Sequence, residues 1–200
     1  MVRDLRICCV GDSFVAGVGD TRCLGWVGRL GVSAHAAGYA PTLYNLGVRG
    51  QTSTDIQIRW LGECERRLPA GSDARVVLSF GVNDTSWDGG GPRVDPEVSQ
   101  EALTRMLAHA ADRDWRVLMV APPPVDDVAH NERTADLDER FAEICARAAV
   151  PYVRVHRALR ESALWMREVA EGDGAHPGAR GYDLLAELIA PHWREWLSAE

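Results

Sequence analysis

Two hundred residues suit one domain, expected over residues 1–200, large enough to bury a core without disulfides or metals. With 46% hydrophobic and 26% charged residues the composition is that of an ordinary globular protein, and a net charge of −7 offers no basic surface to nucleic acid or anionic lipid. All 22 basic side chains are arginine, a bias that a GC-rich gene explains, and their replacement of lysine excludes P-loop and Schiff-base chemistry.

In chain order, Leu5–Val10 reads as a short buried strand that stops at Gly11, and Leu24–Gly38 as a helix with Trp26, Val27 and Leu30 at helical spacing. Thr42–Leu46 is a second strand. Thr52 or Ser53 caps a helix to about Leu68, ended by Pro69 and Gly71. Arg75–Phe80 is a third strand, continuous in hydrophobes as a strand covered on both faces should be. The glycine-rich stretch 84–95 is a loop, and Pro96 opens a helix to about Arg113. Arg116–Ala121 is the fourth strand, followed by Pro122-Pro123-Pro124. Ala135–Ala149 is helical, Tyr152–Val155 a fifth strand, and one helix follows to about Ala170. The last helix begins near Pro177 and runs to about Leu197.

Strands alternating with helices predict a parallel sheet covered on both faces. Five cysteines (8, 9, 23, 64 and 145), odd in number and irregular in spacing, suggest reduced thiols and a cytoplasmic protein. The N-terminal apolar stretch is too short for a signal peptide, and no run approaches the ~18 apolar residues of a membrane span.

Ligands of such sheets bind beyond the carboxyl ends of the strands. There the chain places Gly11-Asp12-Ser13 after the first strand, Gly50 after the second and Gly81-Val82-Asn83-Asp84 after the third, while Asp173-Gly174-Ala175-His176-Pro177 precedes the last helix. If the first strand lies between the second and third, Ser13, Gly50 and Asn83 meet over one edge. Ser13 is then a nucleophile, His176 the base that takes its proton, and Asp173 the acid that fixes the imidazole tautomer. The N–H groups of Ser13 and Gly50 and the Asn83 amide are the candidate oxyanion donors. Each fragment also has a plain structural explanation: a helix cap for Ser13, a turn for Gly50, an Asx-turn for Asn83. Asp12 and Asp84 read as supports for their turns. Trp87 and Pro123 are candidate rim residues.

These four blocks make the chain resemble the SGNH hydrolases, the GDSL esterase/lipase superfamily, over nearly its whole length. Phe14 stands where that family's name has leucine, and Gly47 is a second glycine in the Gly50 block. The resemblance implies a flavodoxin-like three-layer α/β/α sandwich with a five-stranded parallel sheet. It also implies a serine esterase with no cofactor or metal, acting through an acyl-enzyme on a small-molecule ester. The residues leave the oligomeric state open. Short acyl chains are expected, because no insertion is long enough for a lid. Thioesters, lysophospholipids and O-acetylated sugars are alternative substrates on the same site. A non-catalytic binding module and a metal-dependent hydrolase using Asp126, Asp127, His130 and Glu132 are the rival classes.

Overall fold

The computed structural model describes residues 4–199. Its main sheet is built from β1 (Leu5–Gly11), β2 (Thr42–Gly47), β3 (Asp73–Ser79), β6 (Arg116–Val120) and β7 (Tyr152–Val153), in the order β2-β1-β3-β6-β7 and parallel throughout. β1 therefore lies between β2 and β3, with Gly11 in register with Gly47 on one side and Ser79 on the other. A short antiparallel ribbon pairs β4 (Trp87–Asp88) with β5 (Gly91–Pro92) inside the loop that the glycines predict.

The period-two alternation of the strands divides the core. Ile7 and Cys9 of β1 and Val77 of β3 face the layer formed by α2 (Gly25–Ala36), α8 (Ala163–Glu171) and α9 (Ala179–Ser198). Cys8, Val10, Val76 and Leu78 face the layer formed by α3 (Ser53–Glu65), α5 (Pro96–Ala111) and α6 (Val128–Arg147). The adjacent cysteines thus point to opposite faces, as neighbouring residues of a strand must. Trp60 of α3 is fully buried and meets Trp115 edge-on, ring centroids 6.1 Å apart. Such a side chain contributes roughly 1.5–3 kcal/mol or more by leaving water. The three-layer α/β/α sandwich is the expected architecture.

Four local features differ from the sequence reading. Ser13–Ala16 and Val82–Thr85 are single helical turns, α1 and α4, directly after β1 and β3. α6 starts at Val128 and not at Ala135, because Asp127 caps it by accepting the His130 N–H at 2.7 Å. The segment after β7 is two helices, α7 (His156–Arg160) and α8, separated where Ser162 caps the second. α9 begins at Ala179, two residues beyond Pro177.

Candidate active site

Everything of chemical interest gathers at the carboxyl ends of β1, β2 and β3. Asp12 is the N-cap of α1, its Oδ1 accepting the Phe14 N–H at 2.9 Å, so Ser13 is the first helical residue and not the cap. α1 lies directly on the end of β2. A Cβ at Gly47 would stand 2.2 Å from the Ala16 nitrogen, so only glycine permits this approach. The Gly47 N–H is itself donated to Asn45 Oδ1 at 3.0 Å.

The loop before α9 brings His176 to the serine. His176 Nε2 is 2.7 Å from Ser13 Oγ, and Nδ1 is 2.8 Å from Asp173 Oδ2. With the carboxylate accepting from Nδ1–H, Nε2 is left as the acceptor for the serine hydroxyl. Asp173 Oδ1 takes the N–H groups of Ala175 at 3.0 Å and His176 at 2.8 Å. Desolvation works to raise this carboxyl, but the His176 N–H and imidazole and the Ala175 N–H together hold it at about 2. The imidazole is walled in by Phe14, whose ring centroid is 4.8 Å away at a 41° tilt, and Phe14 in turn stacks on Trp165 at 6.4 Å. Trp165 Nε1 donates to the Pro124 carbonyl, tying this wall to the exit of β6.

Asn83 sits in α4 with Nδ2 donating to the Gln51 carbonyl at 2.9 Å and 3.5 Å from Asp12 Oδ2. Gly50 has φ +73° and is exposed, with open space where a Cβ would project. The segment around it is held by hydrogen bonds. The Val48 N–H donates to the Gly11 carbonyl, Arg93 donates to the Gly50 carbonyl at 3.0 Å, and Arg59 donates to Gln51 Oε1 at 2.5 Å. Thr52 and Asp55 form a capping box at the start of α3. Asp84 reaches beyond its own turn: it accepts from the Ser53 N–H and hydroxyl and from the Ser99 hydroxyl, joining α4 to α3 and α5. Burial raises both carboxyls of this region above their ordinary values, Asp84 against the hydrogen bonds from Ser53 and Ser99, and Asp12 to about 7.

The remaining expected positions fall differently. Trp87 is 60% exposed on the ribbon, beneath the Arg133 guanidinium at 5.2 Å. Pro123 is buried in the strand exit and not on an open rim. The Asp126, Asp127, His130 and Glu132 cluster does not converge. His130 Nε2 instead lies 2.8 Å from the Val82 carbonyl and 3.1 Å from Thr85 Oγ1, joining α6 to α4. Among the described residues no group of three or more His, Cys, Asp or Glu side chains is placed to hold a metal ion. A hollow of about 360 Å³ borders His176 and Asp173, whereas a larger apolar one of about 650 Å³, lined by Leu107, Trp115, Ile144 and Trp196, lies toward the start of β6. The lining of the larger hollow includes neither Ser13 nor His176.

The model of the GDSL-like lipase/acylhydrolase family matches residues 9–184. No curated protein matches the chain. Among solved structures, the lipase/acylhydrolase from Enterococcus faecalis is 25% identical with a TM-score of 0.77, the match covering 96% of each chain. A psychrotrophic esterase from Pseudoalteromonas sp., solved inhibited by monoethylphosphonate, is 18% identical with a TM-score of 0.75 over 98% of this chain and 100% of its own. An acetylxylan esterase from Geobacillus stearothermophilus is 16% identical with a TM-score of 0.77 over 100% of this chain and 99% of its own. With the family match running from β1 into α9, the chain belongs to the GDSL-like lipase/acylhydrolase family and is a serine hydrolase acting on ester bonds.

Proposed function

We propose that Ser13, His176 and Asp173 are the catalytic triad of an esterase for small carboxylic esters, working as one domain over residues 1–200. The observation that carries this reading is the continuous relay from Ser13 Oγ through both imidazole nitrogens to Asp173, with links of 2.7 and 2.8 Å. His176 Nε2 removes the hydroxyl proton as Oγ attacks the ester carbonyl. Asp173, ionised throughout the working range, stabilises the imidazolium that results. The tetrahedral oxyanion is met by the N–H groups of Ser13 and Gly50 and by the Asn83 amide, which holds the Gln51 carbonyl at 2.9 Å and whose remaining contact, to Asp12 at 3.5 Å, is long enough to yield to an oxyanion. Gly47 is the weaker candidate for this role, because its N–H is already donated to Asn45. Collapse expels the alcohol with the proton from Nε2. A water molecule, deprotonated by the same nitrogen, then attacks the acyl-serine and releases the carboxylic acid.

Short acyl groups, acetyl to hexanoyl, suit the site best. The one roomy apolar hollow, lined by Leu107, Trp115, Ile144 and Trp196, does not include the serine or the oxyanion donors, so no long acyl chain is provided for beside them. The acetylxylan esterase among the structural neighbours supports small acyl groups, and an O-acetylated sugar, a thioester or a lysophospholipid would use the same relay. Four of the five unbridged thiols are buried, which supports a reducing, cytoplasmic setting. No helix among the described residues is long and apolar enough to cross a membrane.

The test is labelling with a fluorophosphonate followed by identification of the modified peptide, together with hydrolysis of a p-nitrophenyl ester series. Labelling of Ser13, loss of turnover in Ser13→Ala and rates falling beyond hexanoyl are expected. Labelling elsewhere overturns the triad, and rates that climb through dodecanoyl overturn the chain-length preference.

A further inference from the structure

Gly50 is the least supported member of the site by packing. It is exposed, has φ +73° and touches nothing where a side chain would be. Its N–H lies in the peptide shared with Arg49, and the peptides on either side of that one are where the hydrogen bonds fall, so they act on its direction through the φ and ψ of Gly50. On the amino side the Val48 N–H is fixed on the Gly11 carbonyl at 3.0 Å. On the carboxyl side Asn83 holds the Gln51 carbonyl at 2.9 Å. Between these anchors the side-chain bond to Gly50 comes from Arg93, 43 residues away and directly after β5, whose guanidinium donates to the Gly50 carbonyl at 3.0 Å. Arg93 is seated in its turn: its N–H donates to the Ser86 carbonyl at 2.9 Å, and the next N–H, that of Val94, donates to the Asp84 carbonyl at 3.1 Å.

We infer that Arg93 is a positioning residue for hydrolysis, fixing the peptides around Gly50 so that the Gly50 N–H faces the oxyanion formed at Ser13. The inference rests on the oxyanion role proposed above for Gly50. A glycine at positive φ has free rotation on both sides, and an N–H that wanders gives little to the transition state because reorganisation must then occur during the reaction. A charge-assisted hydrogen bond to the Gly50 carbonyl narrows that freedom. The chemistry also suits arginine, whose planar guanidinium presents its N–H donors to a carbonyl in a fixed fork.

Arg93→Ala should lower kcat about 10-fold or more, within the range of one such bond, while KM changes less than about threefold. Affinity for an alkylboronic acid, whose serine adduct carries the tetrahedral negative charge, should fall in parallel, with the melting temperature unchanged. Arg93→Lys, which retains a donor, should recover part of the loss. Should Arg93→Ala prove poorly folded, Arg93→Met provides the same comparison, keeping the length of the side chain without a donor. Ser13→Ala is measured alongside. Activity surviving in Ser13→Ala defeats the proposed function itself. An inactive Ser13→Ala beside an Arg93→Ala with normal kcat and boronate affinity overturns the role of Arg93 alone, and so does a rise in KM with kcat intact.

Discussion

The side-chain amide of Asn83 and the main-chain carbonyl of Gln51 are joined at 2.9 Å, so the residue proposed to meet the oxyanion also holds the peptide next to Gly50. Asn83→Ala removes one donor directly and loosens the segment that carries another. We expect kcat and kcat/KM to fall together by about 10²–10³ or somewhat more, with KM within a few-fold, since a neutral carbonyl bonds the amide only weakly in the ground state. Steady-state kinetics decide it. A raised KM with kcat preserved makes Asn83 a substrate-binding or turn-forming residue.

Asp173→Asn tests the orienting acid. The amide retains an acceptor for the Ala175 and His176 N–H groups, so the loop should keep its shape and the melting temperature should move little. The His176 tautomer, however, is no longer fixed by a carboxylate on Nδ1. A fall in kcat of roughly 10² or more is expected, below the ~10⁴ of the protease triad because half the Asp173 side chain is open to water. Turnover near wild type places the acid elsewhere.

Asp84→Ala strips the Ser53 N–H, the Ser53 hydroxyl and the Ser99 hydroxyl of a shared acceptor in a buried place. At ~1–3 kcal/mol for each buried polar group left unpaired, partly offset by removal of a desolvated acid, a loss of about 2–4 kcal/mol is expected. Urea unfolding reads it directly, and an unchanged midpoint would show that the three donors find other partners.

Asp12→Asn isolates one buried ionisation. Burial lifts the Asp12 carboxyl from 3.8 to about 7, so the folded state keeps a proton that the unfolded chain has already lost. The stability this confers is complete below the unfolded value and is lost as the pH rises through about 7. Asparagine does not titrate. The variant should therefore gain on the wild type between pH 5 and pH 8 by about 1–3 kcal/mol, taking ~1.4 kcal/mol per pH unit as the ceiling. Urea midpoints of both proteins at the two pH values supply the comparison, and a constant difference refutes the buried charge.

Much of the fold was legible because β1, β3 and β6 are short runs of apolar residues bounded by Gly11, by Gly81 and by the three prolines. The serine, asparagine and histidine were legible for a related reason: each stands in a glycine-bearing turn at the edge of the sheet. The start of α6 was hidden because His130–Arg133 is polar and charged, although Asp127 three residues before His130 was the cap that marks it. Ser162 carried the same signal for the break between α7 and α8. Arg59, Arg93 and Gln51 left no trace at all. Arg93 and Asn83 reach the Gly50–Gln51 segment from 43 and 32 residues away and Arg59 reaches it from the helix that follows, where no local period applies, and an exposed arginine in a glycine-rich stretch reads as surface.

The contact between α1 and Gly47 has a consequence for how such an enzyme can vary. The serine is carried on main chain laid against main chain, with no side chain between the turn and the neighbouring strand to be exchanged. Substitution at Gly47 is closed. Trp87 and the ribbon, by contrast, stand out in water with little packed over them. If Ser13 is the nucleophile and the ribbon its rim, as proposed, new preferences for acyl or alcohol groups can accumulate on the ribbon while the serine stays where the sheet put it, so selectivity and reactivity are free to change at different rates.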